Sequence, residues 1–156
     1  MADLAHLFSR SYREARDKFL RAADAAHLEL HAHAHPLLGR DGETLAMDVA
    51  RFGAADARRV LLSSSGCHGI EGYCGSAVQL ALLADPGFHR AAESAGVSVL
   101  YVHALNPYGF SWWRRTTHEN VDLNRNFIDF TGPPPANPGY DEIAHALFRH
   151  AAPGSA

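Results

Sequence analysis

The chain has 156 residues, 47% apolar and 20% charged, with a net charge of −3 when its 11 histidines are neutral. That length and composition suit a globular domain with its own core, not a disordered chain, and the mild negative charge, without a clustered Lys/Arg stripe, offers no footprint for nucleic acid. Two cysteines, Cys67 and Cys74, make no disulfide framework or Cys-x-x-Cys motif; no apolar run nears the roughly 20 residues of a membrane helix, and the start Met1-Ala2-Asp3-Leu4-Ala5-His6 is no signal peptide, so no membrane partner and a cytoplasmic location are expected.

Tyr12, Ala15, Phe19, Ala22 and Ala23 recur at helical spacing, and Ser9 or Ser11 can cap the start, which predicts a helix over Ser9 to Ala26. Leu28 to His33 alternates like a strand. His31, His33 and His35 share one face of it if extended. They read either as a metal-binding tract or as the exposed face of an edge strand stopped by Pro36. With no Cys, Asp or Glu between them, the second reading is favoured.

Pro36 to Glu43 is turn-rich, with Gly39 and the hairpin signal Asp41-Gly42. Thr44 to Phe52 is a second strand, with Leu45, Met47 and Val49 on one face. Arg59 to Ser65 is a short apolar run, as expected of a central strand buried on both faces. Helices follow over Tyr73 to Ala84 and Phe88 to Ala95, punctuated by Asp85-Pro86-Gly87 and Gly96. Val97 to Ala104 is the next buried strand. Asn106 to Phe130 is long, polar and aromatic with little periodicity, Thr131 to Gly139 is rich in Pro and Gly, and Tyr140 to His150 is a last helix. This order implies an α/β fold with a mixed, mostly parallel sheet and helices on both faces, the first strands antiparallel and the later ones parallel.

Directly after the run ending at Ser65 comes Gly66-Cys67-His68-Gly69-Ile70-Glu71-Gly72. A His and a Glu three residues apart in a glycine-lined loop form a plausible half of a zinc site. Catalytic zinc commonly takes three protein ligands, two His and one Glu being one such set, and keeps a fourth position for water. Cys67 and Cys74 flank this loop as small space-filling residues, Cys67 alternatively as a reactive thiol or an adventitious ligand. The long segment downstream holds Asn106-Pro107-Tyr108-Gly109-Phe110, then Trp112-Trp113-Arg114-Arg115, then Asn120-Val121-Asp122-Leu123-Asn124-Arg125-Asn126-Phe127. A connection this long is usually functional or disordered, and its aromatic residues argue against disorder. Arg125 between two asparagines suits an anion, and Arg114 suits a developing oxyanion. With equal weight, these arginines pair with Asp122 and Glu119 while the asparagines cap turns.

The ordered set His68-Gly69-Ile70-Glu71, Asn106-Pro107-Tyr108-Gly109, Trp113-Arg114 and Asp122-Leu123-Asn124-Arg125-Asn126-Phe127 resembles the zinc carboxypeptidase (carboxypeptidase A-like) superfamily. The glycine-rich form of the His-x-x-Glu loop is closest to a bacterial branch known mostly as domains of unknown function. The resemblance runs from about Phe8 to about Phe148. It implies Zn2+ as cofactor, with His68 and Glu71 as the first two ligands. It further implies Arg114 as the oxyanion-stabilising arginine, Asn124 and Arg125 as the holders of a substrate's free carboxylate, and Asp122 and Asn126 as scaffold. The implied activity is hydrolysis of an amide bond next to a free carboxylate, on a peptide or an N-acyl amino acid. A deacylase of the desuccinylase/aspartoacylase type is the alternative, and a non-catalytic remnant or binding module a further one.

One half of the family's pattern has no match before Ala156. The third zinc ligand is a His beyond the Asn-Arg pair, at the end of a later strand, and the general base is a Glu further on. After Arg125 the sequence has only His145 and His150, and Glu142, all in the expected last helix. His103 and His118 are in range but are expected in core or surface roles. Residues 1–156 are therefore expected to be a single domain forming the N-terminal part of a longer catalytic domain, a poor hydrolase alone. Unpaired strand edges leave self-association open.

Overall fold

The computed structural model describes residues 4–133 and 135–147. Helix α1 (Tyr12–Ala25) begins where Ser11 accepts a hydrogen bond from the Glu14 N–H, while the Glu14 carboxylate reaches back to the Arg10 N–H. This reciprocal cap satisfies donors that the first turn leaves open. Tyr12, Ala15, Phe19 and Ala23 form its buried stripe.

Strand β1 (Glu29–Leu38) pairs antiparallel with β2 (Thr44–Phe52), β2 antiparallel with β4 (Val97–His103), and β4 parallel with β3 (Arg59–Ser64), in the order β1-β2-β4-β3. Helices α2 (Gly72–Leu83) and α3 (Pro86–Ser94) connect β3 to β4. The expected α/β fold with a mixed sheet is present. Its parallel share is smaller than expected, since β3–β4 is the one parallel pair among the described residues. β1 also runs past Pro36 instead of stopping there; the ladder is irregular between Ala34 and Leu38, as an edge strand allows.

α1, α2 and α3 pack on one face of the sheet, where Phe19, Ala23 and Leu83 meet Ala50, Val99 and Tyr101, with Phe88 and Ala92 beside them. On β2 the covered residues are Leu45, Ala46, Asp48 and Ala50, Leu45 in a second cluster with Tyr12, Ala15 and Phe110, while Met47 and Val49 are only half-buried. β3 departs most from its sequence reading. Val60, Leu61 and Leu62 are 59%, 46% and 59% exposed, because β3 is paired on one side only and ends the described sheet as an edge.

The chain divides into a first compact unit ending at Asn126 and a second beginning at Phe127. The second contains helix α5 (Pro138–Leu147); the end of the helix expected to reach His150 lies outside the described residues. No described helix is long and apolar enough to cross a membrane.

A buried polar cluster sits between α1 and the sheet. Arg16 binds the fully buried Asp48 through two hydrogen bonds, of 2.7 and 3.0 Å. Across the β2–β4 ladder from Asp48, the His103 ring stacks on Phe19 at 4.6 Å and shares a 3.0 Å hydrogen bond with the Ser76 hydroxyl. Burial, reinforced by the Arg16 charge, pushes its pKa down to about 3. His103 is thus a neutral core residue. An unfolded imidazole takes a proton near pH 6.5, so between that pH and 3 the unfolded chain binds more protons than the folded one. Stability should fall as pH drops below 6.5, by up to about 1.4 kcal/mol per pH unit from this residue. Urea titrations at pH 7, 6 and 5 should show the decline, and His103→Leu should flatten it.

Candidate functional site

The site is built where β3 and β4 end side by side. Their pairing continues past both strands through Ser65 N–H to Val102 C=O (3.0 Å), Leu105 N–H to Ser65 C=O (2.8 Å) and Asn106 N–H to Gly66 C=O (2.9 Å). From α2, the buried Gln79 amide donates to Ser63 C=O and Val102 C=O and accepts from the Ser65 hydroxyl. The two loops that leave this end therefore start from a fixed frame.

The first loop, Gly66 to Glu71, enters α2. Gly66 has φ +68°, and a Cβ there would lie 2.9 Å from the Ala104 Cα. The second loop enters the short helix α4 (Pro107–Trp112). Asn106 caps it by accepting from the Gly109 N–H at 2.9 Å, and its amide nitrogen lies 3.4 Å from the Cys67 carbonyl. Pro107 takes the first helical position, where no backbone N–H is needed. The Asn106-Pro107-Tyr108-Gly109 motif is thus a helix start tied to the His68 loop. The loops then touch backbone to backbone. The Gly69 N–H donates to Arg114 C=O (2.9 Å) and the Arg114 N–H to Gly109 C=O (2.8 Å). A Cβ on Gly69 would sit 2.4 Å from the Gly109 oxygen and 2.7 Å from the Arg114 nitrogen.

Asp122 is the junction of the site, although the sequence reading gave it only a scaffold part. One carboxylate oxygen meets His68 Nε2 at 3.0 Å and accepts the Asn124 N–H at 2.9 Å; the other accepts from Arg115 Nε at 2.7 Å. The His68 hydrogen bond above all, helped by Arg115 and the Asn124 N–H, holds the Asp122 carboxyl down to about 2. An ionised carboxylate only accepts, so His68 Nε2 carries the hydrogen. In the neutral ring, that leaves Nδ1 with an open lone pair, the tautomer a metal ligand needs. Nδ1 lies 3.9 Å from Glu71 Oε1, and His68 is largely buried while Glu71 is exposed. A signal was present in the sequence, an acid two residues before Asn124, but its partner is 54 residues away.

Arg114 is half-buried. Its guanidinium donates to Thr116 Oγ1 and Asn120 Oδ1 and lies 6.0 Å from the Tyr108 ring centre. Asn124 and Arg125 are exposed in a 3-10 turn, Leu123–Arg125, and Arg125 donates to the Asn124 carbonyl. Among the described residues the carboxylate partner of Asp122 is Arg115, and neither Arg114 nor Arg125 forms an ion pair. Burial, and then the Asp122 charge, push the Cys67 thiol upward, so it stays protonated.

His68 Nδ1 and Glu71 Oε1 face each other across 3.9 Å, but among the described residues no group of three or more His, Cys, Asp or Glu is placed to hold a metal ion. His118 sits edge-on to His35 (5.0 Å) and to Tyr108 (5.8 Å). His150 and the side chain of His145 lie outside the described residues.

Residues 8–156 match the family described as "Protein of unknown function (DUF2817)". The chain belongs to that family. No curated protein matches it. Among solved structures, this DUF2817 chain is similar to a Zn-dependent exopeptidase from Parabacteroides distasonis, at 13% identity over 74% of this chain and 44% of that one, TM-score 0.41. It is similar to Tannerella forsythia glutaminyl cyclase at 15% identity, over 76% and 43% of the two chains, TM-score 0.39. It is also similar to Porphyromonas gingivalis glutaminyl cyclase at 15% identity, over 71% and 51%, TM-score 0.35. The DUF2817 chain thus spans between 43% and 51% of the length of these structures.

The contact between the two loops gives a direct test. Gly69→Ala has no room without separating the loop from α4, and overpacking of this kind costs about 1–3 kcal/mol. A denaturant titration should show a lowered midpoint of that size.

Proposed function

We propose that this chain carries one half of the active site of a zinc-dependent hydrolase of the metallocarboxypeptidase type, which cleaves an amide bond next to a free carboxylate. The observation that carries this reading is the His68–Asp122 hydrogen bond, which fixes the tautomer with Nδ1 open on the Glu71 side. A carboxylate behind a histidine is how metal-ligating rings are commonly oriented. Arg114 and Arg125, which form no ion pair among the described residues, agree with an anionic substrate.

In this reading His68 and Glu71 hold Zn2+. The ion would supply Lewis acidity and lower the pKa of a bound water. Arg114 donates to the oxyanion that develops on the scissile carbonyl. Asn124 and Arg125 hold the substrate's free carboxylate, Arg125 by a charge-assisted fork. Both peptides and N-acyl amino acids carry such a group, so deacylation of the desuccinylase/aspartoacylase type fits the same anchor. The third ligand and the general base are assigned to protein outside residues 1–156, which makes this chain a poor hydrolase by itself. The free edge of β3 offers a place for self-association.

Zinc titration of the purified chain by calorimetry tests the half-site. Binding weaker than micromolar is expected, lost in His68→Ala and weakened about 10- to 100-fold in Asp122→Asn. Equal binding by the parent and His68→Ala, or sub-micromolar binding with peptidase activity, contradicts the reading. The anchor is tested separately on a longer, active DUF2817 protein. The change equivalent to Arg125→Ala should raise KM for carboxylate-bearing substrates about 10-fold or more, the loss expected for a charge-assisted hydrogen bond, with kcat little changed.

A further inference from the structure

The end of α4 is held in a way that the proposed chemistry does not account for. Trp113 closes the helix in the left-handed region, φ 55° and ψ 36°, a conformation that a large side chain adopts only when its surroundings impose it. Its indole is not in the core, being 48% exposed. Two elements converge on it. The Arg40 guanidinium, from the turn between β1 and β2, lies 3.7 Å over the ring. The indole N–H donates to the Tyr73 hydroxyl of α2 at 3.0 Å. The turn itself is bolted to α4 through Ser111, whose hydroxyl donates to the buried Glu43 carboxylate at 2.5 Å and accepts from the Arg40 N–H at 2.9 Å. The second Glu43 oxygen accepts the Asp41 N–H at 2.9 Å. Arg40 has one weak ion pair of its own, 3.4 Å to Asp41 on the exposed turn.

The next residue in the chain is Arg114. Its N–H and C=O are the two groups that bind Gly109 and Gly69. The left-handed turn at Trp113 therefore decides whether the Arg114 backbone meets the His68 loop.

We propose that Arg40 is a positioning residue: stacked on Trp113, it fixes the turn that holds Arg114 against the loop carrying His68 and Glu71. Its functional meaning, alignment of the oxyanion arginine with the zinc half-site, rests on the function proposed above. The mechanical coupling does not, and it is read without zinc or substrate.

Amide hydrogen exchange on the purified chain tests the coupling. Arg40→Ala should speed exchange of the Gly69 and Arg114 amides about 2- to 5-fold, the range of an exposed cation–π contact. The amides of Val99 and Tyr101 in the sheet should not change. Arg40→Lys should restore the protection only in part, because an ammonium lacks the flat face that stacks on indole. In a Trp113→Gly background, where glycine takes the left-handed turn without strain and the ring is gone, Arg40→Ala should have no further effect. Unchanged Gly69 and Arg114 exchange, an equal change throughout the sheet, full rescue by lysine, or an undiminished effect in Trp113→Gly would each overturn the proposal. A failed zinc titration would sink the functional reading and leave these exchange results standing.

Discussion

The Asp122 carboxylate takes hydrogen bonds from three places, the Asn124 backbone beside it, the Arg115 guanidinium and the His68 ring, the last brought to it only on folding. Remove the side chain and each loses its acceptor at once. The His68 ring is then free to turn and to change tautomer, Arg115 has no counter-charge, and the 3-10 turn carrying Asn124 and Arg125 loses its cap. The strength of the arrangement lies in its economy. One ionised group, which can only accept, specifies the proton position on the histidine and the start of the turn that presents the second arginine.

That junction can form only because the backbones beneath it approach closely. Gly69 lies against Gly109 and Arg114 with no space for a methyl group, and Gln79 locks the ends of β3 and β4 together from below. The frame is rigid for a further reason. The helices on the covered face bring their own buried polar group, and Arg16 meets Asp48 with a two-pronged bond at the centre of the sheet. Removing one partner of such a pair leaves an uncompensated buried charge, typically worth about 3–5 kcal/mol, so α1 is held in register as well as held down.

Much of this was legible in the sequence. The stripe Tyr12, Ala15, Phe19, Ala23 gave α1, Ser11 was one of the two residues read as able to cap it, and the His-x-x-Glu loop fell after a strand as expected. What escaped was information that a linear pattern does not hold. The apolar run of β3 states what the strand is suited to pair with, not whether a neighbour is there. On β2 the pattern grouped Leu45, Met47 and Val49; Leu45 is buried with Tyr12 and Ala15 of α1, but further along the strand the covered residues are Ala46, Asp48 and Ala50, with Asp48 paired to Arg16. α4 lay unseen in an aromatic stretch, although Asn106-Pro107 is a helix start by its chemistry. The question of which arginine pairs with Asp122 was open by spacing; the fold gives that place to Arg115 and leaves Arg114 beside Tyr108.

The bare edge of β3 has a consequence for the chain as a material. Six residues from Arg59 to Ser64 carry no charge beyond the first, no proline and no glycine, and they show their backbone and three large apolar side chains to solvent. Segments of this composition template growth of cross-β structure when nothing caps them, and a net charge of −3 supplies little long-range repulsion to keep copies apart. A single lysine placed in that strand would act as a gatekeeper without disturbing the loops at its far end.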